Sequence, residues 1–198
     1  MIQAITNTRQ YDYIEWVKKV KMKIALTEEQ ATDLRADLAK RGSVEEMTET
    51  DIYYTAPIRD FLETNECLRI RIRDSEPVEL TYKGETTPEM REQDQFWKNE
   101  VDIPIEDTDD VQHLLEAIGC EEVTTVVKHR SKVRIDETVI TLDDVEGIDH
   151  YLEIERTAST EEEVAQAVQS NRRLLSELGI DQPDIVDEPY RDLVLASQ

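Results

Sequence analysis

The sequence predicts an α+β protein in which about eight antiparallel strands close into a barrel with a polar, basic lumen and flanking helices. Three observations support this prediction. Residues 68–73 alternate apolar and basic side chains, with the period of two that sends successive strand side chains to opposite faces. Other predicted strands repeat a basic parity, although the chain as a whole is acidic. Three capped amphipathic segments provide helices that can cover the apolar strand faces.

The first half of the chain predicts four strands and one helix. Residues 1–18 are expected to form a loose leader, followed by a single domain at 19–195. The strands are predicted at 19–24, 49–55, 68–73 and 79–84. The helix begins at a capping box of Thr27 and Gln30 and stops at Gly42. Residues 85–95 contain Pro88 and no apolar period, which predicts a mobile loop.

The second half predicts four further strands, two helices and at most a short final element. The strands are predicted at 96–103, 122–135, 139–143 and 151–155, and Pro104 is expected to end the first of them. One helix begins at a cap provided by Asp107 or Thr108 and closes at a glycine. The longer helix begins at a capping box of Thr160 and Glu163 and also ends at a glycine.

The composition limits the class of protein. The 198 residues carry a net charge of −23, from 46 acidic and 23 basic side chains. This charge argues against nucleic acid and anionic membranes as partners. It also resembles the composition of proteins from a salt-saturated, halophilic cytoplasm, where the screening length is about 3 Å at 1 M salt. The apolar periodicity argues against a disordered acidic chain, and the absence of a signal peptide or long apolar run predicts a cytoplasmic protein.

Most charged positions on the predicted strands share one parity and are basic. They are Lys19, Lys21, Lys23, Arg69, Arg71, Arg73, Lys83, Lys98, Glu100, Asp102, Lys128, Arg130, Lys132, Arg134, Asp143, Glu153 and Glu155. If they point inward, a barrel of about eight strands encloses a lumen that holds one polar ligand. For any single strand the alternative is a solvated face with weak cross-strand ion pairs. The repetition across strands favours the lumen.

Four of these positions form a candidate metal site, namely Asp143, Glu153, Glu155 and Glu100. Hard oxygen ligands suit Mg²⁺ or Mn²⁺, which would bridge phosphate oxygens while Arg and Lys neutralise the remaining charge. Phosphoryl transfer needs little beyond such positioning and charge stabilisation. The alternative is that the carboxylates only pair with the arginines.

Several ordered motifs resemble the CYTH superfamily, which takes in class IV adenylyl cyclases, thiamine triphosphatases and inorganic triphosphatases. They are DIYY at 51–54, RDF at 59–61, ECLRIR at 66–71, TYKG at 81–84, LDDVEG at 142–147 and YLEIE at 151–155. The RDF loop ahead of LRIR looks most like the class IV adenylyl cyclase branch. The resemblance implies a closed antiparallel barrel, the triphosphate tunnel, and leaves a homodimer open.

The resemblance also implies roles for individual residues. A nucleoside triphosphate or polyphosphate would be bound by Arg69, Arg71, Lys83, Lys128, Arg130 and Lys23. Among these, Lys23, Lys83 and Arg69 would take part in catalysis. The divalent metal, Mg²⁺ or Mn²⁺, would be held by Asp143, Glu153, Glu155 and Glu100.

The first predicted strand departs from the family pattern. The family usually opens with Glu-x-Glu-x-Lys, whose carboxylates help to hold the metal, whereas the matching residues here are Lys19, Lys21 and Lys23. A like charge beside a divalent cation repels it. Either the metal rests on the remaining carboxylates, or the lysines stand in for a metal as charge neutralisers, or activity is lost. The resemblance makes conversion of ATP to cyclic AMP and pyrophosphate the leading expectation, with triphosphate hydrolysis and non-catalytic polyphosphate or nucleotide binding as alternatives.

Overall fold

The computed structural model describes residues 18–74, 76–85 and 100–198, and in these residues it shows nine strands and four helices. The strands are β1 (Lys18–Leu26), β2 (Val44–Thr55), β3 (Cys67–Arg73), β4 (Glu76–Lys83), β5 (Glu100–Ile105), β6 (Glu121–Ile135), β7 (Thr138–Val145), β8 (His150–Ala158) and β9 (Asp184–Ile185). The helices are α1 (Glu28–Arg41), α2 (Thr108–Ala117), α3 (Glu161–Glu177) and α4 (Tyr190–Ser197). The predicted α+β class is confirmed.

Parts of three predictions lie outside the described residues. They are the leader at 1–18, of which only residue 18 is described, the loop at 85–95 and the first four residues of the strand at 96–103. None of the helices in the described part is long and apolar enough to cross a bilayer.

All nine strands belong to one antiparallel sheet with the order β5-β4-β3-β2-β6-β7-β8-β1-β9. The outermost strands are β5 and β9, and within the described residues no backbone pairing joins them. The strand pairing therefore does not confirm the predicted closed barrel. A side-chain contact does reach from one side of the sheet to the other, because Lys19 Nζ of β1 lies 3.7 Å from Glu100 Oε2 of β5.

The register of the sheet places the charged parity on one face. Directly opposed residues on neighbouring strands point to the same side. The opposed pairs include Arg71 with Asp51, Arg69 with Thr81, Glu49 with Lys128, Arg130 with Asp143, Lys21 with Glu155, Lys23 with Glu153 and Lys83 with Glu100. Six strand pairings thus bring residues from different parts of the chain onto one continuous charged face.

The opposite face is apolar and packs against the helices. Helices α1 and α3 cover one half of it, where Met22, Ile24, Leu34, Leu38, Ile140, Leu152, Ile154 and Leu175 are buried. Helix α2 covers the other half through Leu115, which packs with Ile70 and with the partly buried Leu68 and Ile72. Burial of each such side chain contributes roughly 1.5–3 kcal/mol. The orientation predicted for 68–73 is confirmed, since its apolar side meets a helix.

Two details differ from the predictions, and a third agrees with them. Strand β2 begins at Val44 rather than at 49, because its first residues pair with the far end of β6. Strand β5 continues through Pro104. Proline has no N–H group to donate, and an edge strand tolerates it because β5 has no partner strand on its outer side in the described part. The predicted glycine ends are confirmed at Gly119 and Gly179, whose positive φ angles of 86° and 78° favour glycine.

Candidate functional site

A cavity of about 220 Å³ lies against the charged face and is lined by side chains from β1 to β8. Nine of the lining side chains are basic and five are acidic, so the lining carries four more positive than negative charges. The basic ones are Lys19, Lys21, Arg69, Arg71, Arg73, Lys83, Arg130, Lys132 and Arg134. In a chain with a net charge of −23, this excess is the reverse of the average composition.

The arginine row of β3 is held by a buried aspartate of β2. Arg71 donates from Nε and Nη2 to Asp51 Oδ1 and Oδ2 over 2.6 and 2.7 Å, a bidentate pair. Arg69 Nη1 and Lys128 Nζ approach Asp51 Oδ2 at 3.4 and 3.1 Å. Asp51 is fully buried, which alone would raise its pKa, but Arg69, Arg71 and Lys128 outweigh burial and hold the pKa well below its usual value.

A second buried carboxylate, Glu49, lies beside it on the same face of β2. Glu49 accepts hydrogen bonds from Lys128 Nζ and from Arg73 Nε, the latter over 2.7 Å, and Arg71 Nη2 lies 2.8 Å away. Burial alone would raise the pKa of Glu49, but Lys128 and Arg71 lower it further than burial raises it. Neither Glu49 nor Asp51 is among the site residues predicted from the sequence. Their shared parity on the strand that precedes the arginine row was the available signal.

The β6 part of the site is organised around Arg130. It donates from Nε and Nη2 to Asp143 Oδ1 and Oδ2, both over 2.6 Å, and its Nη2 lies 3.3 Å from Glu153 Oε2. The hydroxyl of Tyr190 in α4 donates to Asp143 Oδ2 over 2.9 Å. Asp143 is therefore fully engaged by a guanidinium and a phenol, and α4, which was not predicted as a helix, completes its surroundings.

Lys23 and Lys128 lie at the same end of the charged face as α4, against the ring of Tyr190. The two ammonium nitrogens are 4.4 and 5.3 Å from its centroid, within the range of cation–π attraction. Lys23 also donates to the carbonyl of Glu188, and burial lowers its pKa to about 8 despite the opposing effect of Glu153. Of the six side chains predicted to bind phosphate, Arg69, Arg71, Lys83 and Arg130 line the cavity, whereas Lys23 and Lys128 lie outside its lining.

Lys21 of β1 lies between two carboxylates of β8. Lys21 Nζ is 3.5 Å from Glu153 Oε2 and 3.3 Å from Glu155 Oε2. Glu153 raises the pKa of Lys21 more than burial lowers it, and Glu155 adds to the increase, so the amine stays protonated. Two of the four predicted metal ligands are therefore paired with a lysine.

The remaining predicted ligand, Glu100, is paired in the same way. Lys83 Nζ lies 2.9 Å from Glu100 Oε2 and Lys19 Nζ lies 3.7 Å from it. Burial would raise the pKa of Glu100, but Lys83 and Lys19 lower it to about 2. Burial and the neighbouring Arg69 lower the pKa of Lys83 to about 8 against the effect of Glu100.

The four predicted metal ligands do not form one metal site as they are arranged. Within residues 18–74, 76–85 and 100–198, no three His, Cys, Asp or Glu side chains are grouped so that they could hold an ion. Each of the four predicted carboxylates instead contacts lysine or arginine. The present donor set therefore does not fit a divalent cation, and the metal assignment stays a prediction.

A second cavity of about 180 Å³ adjoins the first. The two share Lys19, Lys21, Lys83, Glu100 and Glu153 in their linings. The second cavity differs in having apolar side chains from β1 and from the segment that leads to α4, namely Met22, Ile185, Val186 and Pro189. A ligand with a polyanionic end and an apolar end would find both environments here.

Comparison with known proteins identifies the family. The model of the CYTH domain family matches residues 18–190, most of the chain. The chain belongs to the CYTH domain family. A protein of Methanocaldococcus jannaschii named "Putative adenylate cyclase" is 30% identical over 143 residues, which cover 72% of this chain and 79% of that protein.

Solved structures share this CYTH fold. The PH1819 protein of Pyrococcus horikoshii is 33% identical, covers 91% of this chain and 99% of its own, and superposes with a TM-score of 0.77. A Hippeastrum protein described as a "putative adenylyl cyclase" with "a dominant triphosphatase activity" covers 92% of this chain and 96% of its own, at 15% identity and a TM-score of 0.65. CYTH enzymes generally act on triphosphates and depend on a divalent metal.

Proposed function

We propose that the protein is a class IV adenylyl cyclase-like enzyme that binds ATP and converts it to cyclic AMP and pyrophosphate. The observation that carries the proposal is the excess of basic over acidic side chains in the cavity of an otherwise acidic protein. A concave site with this charge concentrates polyanions and excludes the cations that the outer surface attracts. The Methanocaldococcus jannaschii relative, whose name is "Putative adenylate cyclase", supports the same assignment.

In this proposal the triphosphate chain lies along Arg69, Arg71, Arg130 and Lys83, all of which line the cavity. Guanidinium groups bind phosphate oxygens in a bidentate fashion, and their value depends on a fixed position. Asp51 and Asp143 provide that position, because each holds one arginine through two hydrogen bonds. Side chains fixed in this way stabilise developing charge without reorganisation during the reaction.

The nucleoside is placed in the adjoining cavity, whose apolar side chains include Val186 and Pro189. The α-phosphorus then lies where the two cavities meet, beside Lys83 and Arg69, which are 2.9 and 4.0 Å from Glu100. The ribose 3′-hydroxyl gives its proton to water and its oxygen bonds to the α-phosphorus, while the bond from that phosphorus to the oxygen that bridges it to the β-phosphorus breaks and pyrophosphate leaves. Lys83 and Arg69 neutralise the charge on the departing pyrophosphate, whereas Lys23 lines the adjoining cavity that takes the nucleoside.

The proposal includes closure of the sheet into a triphosphate tunnel. Its support is the cavity lining, to which all strands from β1 to β8 contribute, and the contact between Lys19 and Glu100 that spans the gap between β1 and β5. A phosphate chain bound between these strands would add further links across the gap.

The test is product analysis with ATP in concentrated potassium chloride, with MgCl₂, MnCl₂ or EDTA. Cyclic AMP and pyrophosphate are the expected products, in an amount that Arg69→Ala reduces strongly. Formation of ADP and orthophosphate would show instead that water attacks the terminal phosphorus and would replace the cyclase by a triphosphatase.

A second candidate function is non-catalytic binding of polyphosphate or nucleotide. The observation in its favour is the position of Lys21 between Glu153 and Glu155, where an ammonium occupies a place suited to a catalytic cation. Turnover of ATP to neither product set, together with a thermal midpoint raised by tripolyphosphate, would establish this function in place of the cyclase.

A further inference from the structure

The ammonium group of Lys21 occupies a site of the kind that a bound cation would need. Its nitrogen lies 3.3–3.5 Å from one oxygen of each of two carboxylates, and all three side chains line the 220 Å³ cavity. The arrangement is set by the backbone, since Lys21 is directly opposite Glu155 in the pairing of β1 with β8, and Lys23 is opposite Glu153.

The other carboxylates of the cavity are neutralised in a similar way. Glu100 contacts Lys83 and Lys19, and Asp143, just behind the lining, is held by Arg130. A divalent ion that entered the described part of the site would have to displace one of these cations or stand beside it. Charges of like sign repel, so the second arrangement is unfavourable.

We propose that Lys21, assisted by Lys19, takes the place of a divalent metal in this cavity, so that the protein binds the phosphate chain of its ligand without a metal ion. An ammonium is a compact point charge with three donors, and it can contact carboxylate and phosphate oxygens at the same time. This inference rests on the proposed function, because it concerns how the same cavity holds a triphosphate.

The direct test is calorimetric titration of the 198-residue chain with inorganic tripolyphosphate in concentrated potassium chloride, with EDTA or with excess MnCl₂ or MgCl₂. Saturable binding in EDTA is expected, with an affinity that added metal does not increase. Binding that occurs only with metal would overturn the inference and leave the polyphosphate site in place. No binding under any condition would overturn the proposed function, and the inference with it.

Two substitutions sharpen the test. Lys21→Met keeps an unbranched side chain of similar length and removes the charge, so affinity for tripolyphosphate in EDTA should fall by about tenfold or more, the equivalent of one charge-assisted contact. Lys21→Glu places a third carboxylate beside Glu153 and Glu155, and should create a Mn²⁺ site that calorimetry detects in the absence of phosphate, with tripolyphosphate binding now abolished by EDTA.

The matched control is Lys40→Met, the same change at an exposed position of α1. It should leave both the affinity and its independence of metal unchanged. Equal affinities of Lys21→Met and Lys40→Met in EDTA would show that the ammonium of Lys21 does not contribute, and this result overturns the inference even if Lys21→Glu fails to fold.

Discussion

Replacement of Asp51 by asparagine should be among the most destabilising conservative changes in the protein. The carboxylate is fully buried and faces Arg71, Arg69 and Lys128 at 2.6–3.4 Å. Asn keeps the shape and one acceptor but removes the charge that balances these three cations. Loss of one partner of a buried ion pair costs about 3–5 kcal/mol because the remaining charge is left uncompensated. The ratio of folded to unfolded protein should therefore fall by roughly two to four powers of ten.

The assay is equilibrium urea unfolding of Asp51→Asn and the parent chain in concentrated potassium chloride. Asp37→Asn is the control, since Asp37 pairs with Arg41 at 2.7 Å on the exposed side of α1, where such a pair is worth about 0.3–0.5 kcal/mol. Tripolyphosphate should stabilise Asp51→Asn more than the parent, because it can replace the missing negative charge. A loss of stability no larger than that of Asp37→Asn would refute this account of the buried cluster.

Three further predictions follow from the same geometry. Arg134→Ala should weaken tripolyphosphate binding by about tenfold, the value of one charge-assisted contact, with little loss of stability. The reason is that Arg134 lines the cavity and forms no ion pair within the described residues. Calorimetry compares this variant with the control Arg172→Ala on α3, and equal affinities of the two variants would contradict the prediction. Because the folded-state pKa of Glu49 lies below its ordinary value of 4.5, its contribution to the free energy of unfolding is complete above about pH 4.5 and is lost as the pH falls towards the folded-state value. Urea unfolding from about pH 6 to pH 3 should show this loss, and the free energy of unfolding should change less steeply with pH in Glu49→Gln. The same pH dependence in both proteins would contradict the prediction. With a net charge of −23, the thermal midpoint should rise steadily from about 0.2 M to about 3 M KCl as screening removes self-repulsion; a midpoint independent of salt would argue against the proposed salt adaptation.

The orientation of the sheet was predictable because strand geometry leaves few choices. Once 68–73 is a strand, Arg69 and Arg71 must face one side and Ile70 the other. The amphipathic helices then require an apolar surface, so the charged side must face the cavity. The same reasoning correctly placed Arg130 and Glu153 on the face that contains the β3 arginines. Periodicity alone was sufficient for this part of the site.

The pairing within the charged face was not predictable from periodicity. Periodicity left open whether carboxylates or a polyanionic ligand would face the arginines, and it did not indicate that Asp51 and Glu49 hold several of them. Their role depends on β2 lying between β3 and β6, an order that local sequence does not encode. Tyr190 was missed for a similar reason, because a short terminal helix has weak local signals and is stabilised by the tertiary contacts of its aromatic ring.

The placement of β2 also bears on how the protein acquires its structure. Lys128 and Glu49, which form an ion pair on the charged face, are 79 residues apart in the chain, and β2 pairs with β6 over twelve residues. Contacts between such distant segments require closure of a long loop before any stabilisation is gained, and proteins dominated by them fold slowly, in milliseconds to seconds. Ions that are buried in this way remain hydrated until the two strands have joined. The ion pairs between β2 and β6 therefore stabilise only the chain in which both strands are paired, and a partly folded chain gains no stability from them.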